Sequence, residues 1–393
     1  MYRQIAKFAL AETGFGGNPD IGRKILDQKM TRSIRSVRRS RVTISDVANT
    51  LGLTKGTVSR ALNGYPDISD STRHRVRRQA DMMGYSPLAQ AQAIRTGRTR
   101  ALGLVLQTDV ADSQRPFLSD FLAGATSAAS RESWTLTVAT SAGGDEMLNT
   151  LTRLVDEHKA DGFILPRSFY HDPRVDLLRS LDVPFVLFGR VANPEGCAWF
   201  DILGEEAMRS AVHRLDGHGH SRIAFVNGGM QYTYSHLRAE GFRDGMGECG
   251  LDIDEKLVRE NATSMADGAA ATTTLLNLPN PPTAIVFAVD MAALGAYSAA
   301  AASRLVIGRD LSVISYDGIP EGAWAQPPLT TFKVDSRNAG ERLVQLLIRR
   351  IRGADPQDLR ETALAELHAG GSDGPPALSS AELATLVART IPN

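Results

Sequence analysis

Within ten residues the chain places Thr54, Lys55, Gly56, Thr57, Ser59, Arg60 and Asn63. The chemistry this stretch offers is hydrogen bonding rather than bond breaking. Lysine and arginine reach the O6 and N7 acceptors of guanine. Hydroxyls and helix N-termini suit phosphate oxygens. Gly56 contributes no side chain, so a bulky partner can approach there.

Catalysis has no comparable set. No serine lies in a nucleophile-elbow pattern, and no paired carboxylates have a spacing that demands catalysis. Gly228-Gly229 follows a predicted strand without completing a phosphate-binding motif. His213, His218 and His220 straddle a helix end and the next strand, a poor arrangement for a metal. Cys197 and Cys249 are the only cysteines. They suggest no disulfide framework and no metal spacing. The expectation is no enzyme, no metal and no cofactor.

The polar stretch needs a scaffold, and its neighbours supply one. Thr43 is placed to cap a helix whose Ile44, Val47, Ala48 and Leu51 share one face, with Asp46 near its positive end. Gly52 breaks that helix and Leu53 plugs the turn. Thr54 caps a second helix, Val58 and Leu62 form its apolar side, and Asn63-Gly64 with Pro66 end it. This is a helix-turn-helix, whose second helix meets base edges through its N-terminal residues. An amphipathic helix pair with no nucleic-acid role is the competing reading. A third helix is predicted over Asp70–Met83, capped by Ser69 or Ser71, with an apolar stripe of Val76, Ala80 and Met83 and a stop at Gly84. Leu88–Arg95 after Pro87 is too short to be helical alone. It is expected to order only on DNA or a partner.

Charge divides the chain. Residues 1–100 carry 19 Lys/Arg against 7 Asp/Glu, leaving 25 against 37 for residues 101–393. A neutral total hides a basic head and an acidic body, as expected when one end binds nucleic acid. No apolar stretch is long enough to span a bilayer. The first residues do not form a signal peptide, so a cytoplasmic protein without a membrane partner is expected. Residues 1–40 show no sustained period. Two readings stand: a non-native extension, with Met30 as the natural start, or a disordered basic arm that adds non-specific DNA affinity.

From residue 101, strand-like and helix-like segments alternate through Ser312–Tyr316. That alternation argues for an α/β body of parallel sheets covered by helices. Two successive sets argue for two lobes with a cleft, and ligands in such sheets bind beyond the carboxyl ends of the strands.

Residues 42–103 resemble the head and hinge of the lac-repressor (LacI/GalR) family, through Thr43, Asp46-Val47-Ala48, Gly52, Thr57-Val58-Ser59-Arg60, Leu62-Asn63, Thr72-Arg73, Gly84-Tyr85, Pro87, Gln92 and Gly97. The body resembles the same family's periplasmic-binding-protein-like core, to about residue 375, through Pro116-Phe117, Gly217-His218, Asp290 with Ala293-Leu294-Gly295, Tyr316-Asp317 and Pro327-Pro328-Leu329-Thr330-Thr331. The resemblance implies that Lys55, Gly56 and Arg60 set operator sequence, and that Thr43, Thr54, Thr57, Ser59 and Asn63 hold phosphates. Ile94 stands where the family has a leucine wedged into the minor groove, bending the duplex.

For the body the resemblance implies effector contacts from Arg238 and Asp290, joined by Phe117, Arg167, Arg190, Trp199 and Asp201. An arginine fork with a carboxylate suits a polyhydroxylated sugar. Phe188-Gly189-Arg190 with Trp199-Phe200-Asp201 is similar to regulators of α-glucoside use. A purine or a phosphorylated metabolite is the alternative effector, and corepression the alternative to induction. The family fold also implies three passages between lobes, near 190–202, 318–330 and after 350. The first lobe would then hold 101–195 with 328–350, and the second 200–325 with the final strand.

The expected organisation is an N-terminal extension (1–40), an all-α helix-turn-helix domain (41–86), a hinge (87–98), a two-lobed effector and dimerisation domain (99–375) and a tail (376–393). The tail is short for a tetramer-forming zipper, so a homodimer on a pseudo-palindromic double-stranded operator is expected. A sugar-binding transport protein would explain the body but not the head.

Overall fold

A computed structural model of the chain describes residues 42–85, 97–108 and 115–389, with side chains in the last segment from 118 onward. The expectations for residues 1–40, for Ile94 and most of the hinge, and for the Phe117 side chain lie outside the described residues. The chain divides into two compact units, residues 1–92 and 93–393.

In the first unit, α1 (Ile44–Leu51), α2 (Lys55–Leu62) and α3 (Asp70–Met83) enclose a small core of Val47, Ala48, Val58, Ala61, Val76 and Ala80. Thr43 and Asp46 cap α1 reciprocally: the Asp46 carboxylate accepts from the Thr43 amide and hydroxyl at 2.8 Å each. Gly52 and Gly84 end α1 and α3 in the left-handed conformation, which glycine adopts without steric cost. Ser69 is the α3 cap.

The second unit holds two six-stranded sheets. The first runs β11-β5-β4-β3-β1-β2 and is wholly parallel, from β1 (Ala101–Gln107), β2 (Thr135–Ser141), β3 (Phe163–Leu165), β4 (Phe185–Phe188), β5 (Ala198–Ile202) and β11 (Arg360–Ala363). Its central strands β1, β3 and β4 are apolar on both faces because helices cover both. Phe163, Leu165, Phe185 and Leu187 meet α5 (Gly144–Asp156) and α6 (Pro173–Ser180). Ile164 and Val186 join the core shared with α4 (Arg115–Arg131) and α11 (Ser336–Ile351).

The second sheet runs β12-β10-β9-β8-β6-β7, from β6 (Ile223–Val226), β7 (Val258–Arg259), β8 (Ala284–Phe287), β9 (Ser312–Asp317), β10 (Thr330–Lys333) and β12 (Glu366–His368). Only its edge pair β10–β12 is antiparallel. The helix pairs α7 (Gly204–Gly217) with α8 (Thr233–Glu248), and α9 (Met265–Leu276) with α10 (Asp290–Ala302), pack against it. The tail carries α12 (Ser380–Ala388), anchored through buried Leu383 and Val387.

Two lobe expectations need correction. Residues 330–333 pair with β9 in the second sheet rather than joining the first lobe, and 198–202 belong to the first sheet rather than to a passage. The passages fall at residue 203, at 334–335 and at 364–365. Strand pairing decides this: Thr330–Lys333 registers against Ile314–Asp317, and β5 lies between β4 and β11.

Candidate functional sites: the helix-turn-helix face and the interlobe cavity

On the head, Thr54 accepts from the Thr57 amide at 3.0 Å, which fixes the start of α2. Lys55 and Gly56 occupy its exposed first turn, and Asn63 closes the helix by donating to the Ser59 carbonyl at 2.7 Å. Arg60 lies half-exposed, folded back onto the Asp67 carboxylate and over the Tyr65 ring, 5.6 Å from its centre.

In the second unit a cavity of about 670 Å³ lies between the lobes. Of the expected effector contacts, Arg167, Arg190, Asp201 and Arg238 line it. Arg190 forms a fork between lobes, donating from Nε to Asp201 and from Nη2 to Glu205, both at 2.5 Å. Burial opposes its charge, but the two carboxylates more than offset that and raise its pKa. Burial pushes the Asp201 carboxyl up despite Arg190.

Arg238 is held between aromatic faces, 3.9 Å from the Tyr316 ring centre and 4.6 Å from that of Tyr234, and donates to the Ala288 carbonyl at 2.5 Å. Gly204 leaves it room: a Cβ there would come within 2.9 Å of its Nε. Arg167 and Asp317 both line the cavity at positive φ, +52° and +133°. Backbone held in such regions needs support from its surroundings and clusters at functional sites.

Two expected contacts need correction. Asp290 is fully buried and does not line the cavity. Its carboxylate accepts from the Gly318 and Ile319 amides at 2.8 and 2.9 Å and from the Thr331 hydroxyl at 2.7 Å, so it shapes the loop that carries Asp317. Burial, opposed by these bonds, pushes its carboxyl up. Trp199 does not reach the cavity either. It is the second residue of β5, below the carboxyl-end rim, and packs under Arg360 with 4.2 Å from guanidinium to ring centre.

Sequence reasoning missed Glu205, Thr233, Tyr234 and Asp317. All four line the cavity, and Glu205 Oε2, the Thr233 and Tyr234 hydroxyls and Arg238 Nε are buried without a partner among the described residues. Glu205 follows the carboxyl end of β5 directly and Asp317 closes β9, so the rule that ligands sit beyond strand ends was a usable signal for both. The three histidines have separate roles. His213 pairs with Glu248, and His218 with Asp373. His220 is shared by Thr283, Ser312 and the Gly374 carbonyl.

A helix-turn-helix unit and a two-lobed body whose cleft holds buried charged groups together define a ligand-responsive regulator of transcription. Residues 43–87 match the bacterial regulatory proteins of the lacI family, and residues 212–372 match a periplasmic binding protein-like domain. The HTH-type transcriptional regulator AglR of Rhizobium meliloti (strain 1021) is 34% identical over 340 residues, covering 85% of this chain and 95% of that one. The regulator RafR of Escherichia coli is 32% identical, covering 82% and 95%. The solved CelR–cellobiose complex superposes with a TM-score of 0.65 at 28% identity, covering 84% of this chain and 100% of the other. The lac repressor dimer bound to operator and the anti-inducer ONPF shares the fold, with a TM-score of 0.69 at 23% identity and coverage of 85% and 100%. The chain belongs to the LacI family: it is a DNA-binding transcriptional regulator, not an enzyme. Among its described residues no helix is long and apolar enough to cross a membrane.

Proposed function

We propose that the protein is a cytoplasmic homodimeric repressor of carbohydrate uptake or catabolism genes, released from a pseudo-palindromic operator by a neutral sugar in the interlobe cavity. Lys55, Gly56 and Arg60 read base edges, while Thr43, Thr54, Thr57, Ser59 and Asn63 hold phosphates. Arg167, Arg190, Asp201 and Arg238 contribute to the sugar site, and the missed Glu205, Thr233, Tyr234 and Asp317 join them.

The observation that carries the sugar reading is the set of unpartnered atoms. A carboxylate oxygen, two hydroxyls and a guanidinium N–H are buried around one space. Burying such groups unpaired is costly, and a ligand that both donates and accepts removes the cost. Hydroxyls of a sugar do both. Arg190 is already neutralised by Asp201 and Glu205, so it offers no free charge to a phosphorylated effector. The cellobiose in the CelR complex fits the same class. An α-glucoside is the particular sugar favoured by the resemblance around residues 188–190 and 199–201.

The test is a mobility-shift titration of the fragment upstream of the gene with a panel of sugars. Release by an α-glucoside alone is the expected result. Release only by a purine or phosphorylated metabolite overturns the sugar reading while leaving DNA binding intact. Sugar binding without specific DNA binding overturns the repressor reading.

A further inference from the structure

The outer side of α3 carries a cluster of cations that nothing in the head neutralises. His74, Arg75, Arg77 and Arg78 fall within five residues, and all four are exposed. Residues 42–85 hold six Lys/Arg against four Asp/Glu. Three of those carboxylates are engaged elsewhere: Asp46 caps α1, Asp67 pairs with Arg60, and Asp70 pairs with Arg73 at 3.2 Å. Among the described residues, Asp81 forms no ion pair, and neither do Arg75, Arg77 and Arg78.

The needs of the helix do not account for this cluster. Cations favour the last turn of a helix, beside the negative end of its dipole. The last turn of α3 holds none. Arg75 and Arg78 stand three residues apart, where like charges are neighbours and weaken a helix. The arrangement costs stability, and an anion from outside relieves it.

The cluster adjoins the DNA-reading surface. Arg75 donates from Nη2 to the carbonyl of Leu51, the last residue of α1, at 3.4 Å. The turn of Gly52, Leu53 and Thr54 follows directly and delivers Lys55 and Gly56 at the exposed start of α2. Arg78 lies about one helical turn beyond Arg75 on the same side of α3. A basic surface thus runs from the base-reading turn onto the third helix.

We propose that this face of α3 is a second DNA contact, which binds backbone phosphates flanking the operator half-site without reading their sequence. Arg75 and Arg78 are its contact residues, and His74 and Arg77 add charge at its edge. A guanidinium fork matches phosphate oxygens, and each phosphate neutralised releases condensed counterions. DNA is the occupant because it is the polyanion that the adjoining surface already holds. The proposal rests on the DNA-binding function of the head alone; it needs neither the sugar nor a particular oligomeric state.

The test compares two duplexes with the full-length protein. One is the operator trimmed to its half-sites. The other carries one further helical turn of unrelated sequence, about 10 base pairs, at each end. Affinity is measured at several salt concentrations. On the flanked duplex, R75Q/R78Q should flatten the log–log salt slope by about 0.9 for each arginine that loses its phosphate. On the trimmed duplex the slopes of variant and parent should agree. R75K/R78K, which keeps both charges, should retain the parent slope. The ranking of single-base operator variants should not change, because these contacts carry no sequence information. A random-sequence duplex gives an operator-free readout, on which R75Q/R78Q should again be the flatter.

Equal slopes for parent and R75Q/R78Q on the flanked duplex overturn the proposal and leave the face for an acidic protein. An equal loss on both duplexes also overturns it, by placing the arginines inside the half-site. Thermal unfolding of R75Q/R78Q should match or exceed that of the parent, since the side chains are exposed and repel each other. Where the double variant is destabilised, Arg78→Gln alone carries the test with about half the change in slope.

Discussion

Arg60 illustrates how a recognition side chain is stored before use. Its partner Asp67 and the ring of Tyr65 hold it along the head in the DNA-free chain. An exposed pair of this kind is worth about 0–1 kcal/mol, whereas a bidentate contact to guanine discriminates by about 1–3 kcal/mol. The exchange favours DNA. Arg60→Ala should therefore cost about 1–3 kcal/mol at one base pair of the operator and little on random sequence. Competition binding with single-base operator variants checks this, and equal losses on both DNAs would remove Arg60 from base reading. Asp317 carries a pH signature. Burial pushes its carboxyl up to about 7, with Arg238 opposing and Asp290 adding to the shift. The folded chain then keeps a proton that the unfolded chain loses above about pH 4. This contribution to stability is complete below about pH 4, shrinks as the pH climbs and is gone above about 7. A rise from about 4 to about 7 corresponds to about 4 kcal/mol, reduced to about 1–2 because the residue is partly accessible to solvent. Asp317→Asn should match the parent near pH 4 and exceed it by that amount near pH 8 in urea unfolding. A difference independent of pH would contradict the assignment.

At the scale of elements, the cavity depends on how closely α7 and α8 approach. A Cβ on Gly241 would lie 2.0 Å from the Glu205 carbonyl oxygen, so only glycine permits the crossing. Gly241→Val should lower stability by about 1–3 kcal/mol through overpacking. It should also weaken sugar binding, because Glu205 and Arg238 ride on the two helices it separates. Thermal unfolding and calorimetric titration give the two readouts; a loss of stability with unchanged affinity would show that the site tolerates the displacement. The same scale decides what the sequence discloses. The head was legible to the level of its caps, because Thr43, Gly52, Thr54 and Gly84 are local signals. β3, β4, β6 and β8 were legible as short apolar runs between helices. β10 (Thr-Thr-Phe-Lys), β7 and β12 were not, since they are short or polar and acquire their identity from a neighbour in the sheet. Asp290 shows the limit for the site. Its position at the start of α10 was readable, but the turn of its carboxylate toward the 318–319 amides depends on a loop nearly thirty residues away. The unpartnered atoms of Thr233 and Tyr234 leave no pattern in the sequence, because being unpartnered is a property of the assembled cavity.

For the whole molecule, the separation of charge predicts different responses to salt. The basic head should lose operator affinity steeply as salt rises, by about 0.9 in log–log slope for each phosphate neutralised. Sugar binding, built on buried hydrogen bonds to a neutral ligand, should barely change. Parallel titrations at several salt concentrations check both, and equal sensitivity would place charge at the heart of effector recognition. The three passages at 203, 334–335 and 364–365 have a genetic consequence. Neither lobe is encoded by one uninterrupted stretch: β11, near the end of the chain, completes the sheet that β1 begins, and β12 completes the other. A premature stop codon anywhere before about residue 370 strips an edge strand from at least one sheet. Such alleles should behave as nulls whose products are degraded, and substitutions that abolish the response to sugar while preserving repression should be missense changes around the cavity.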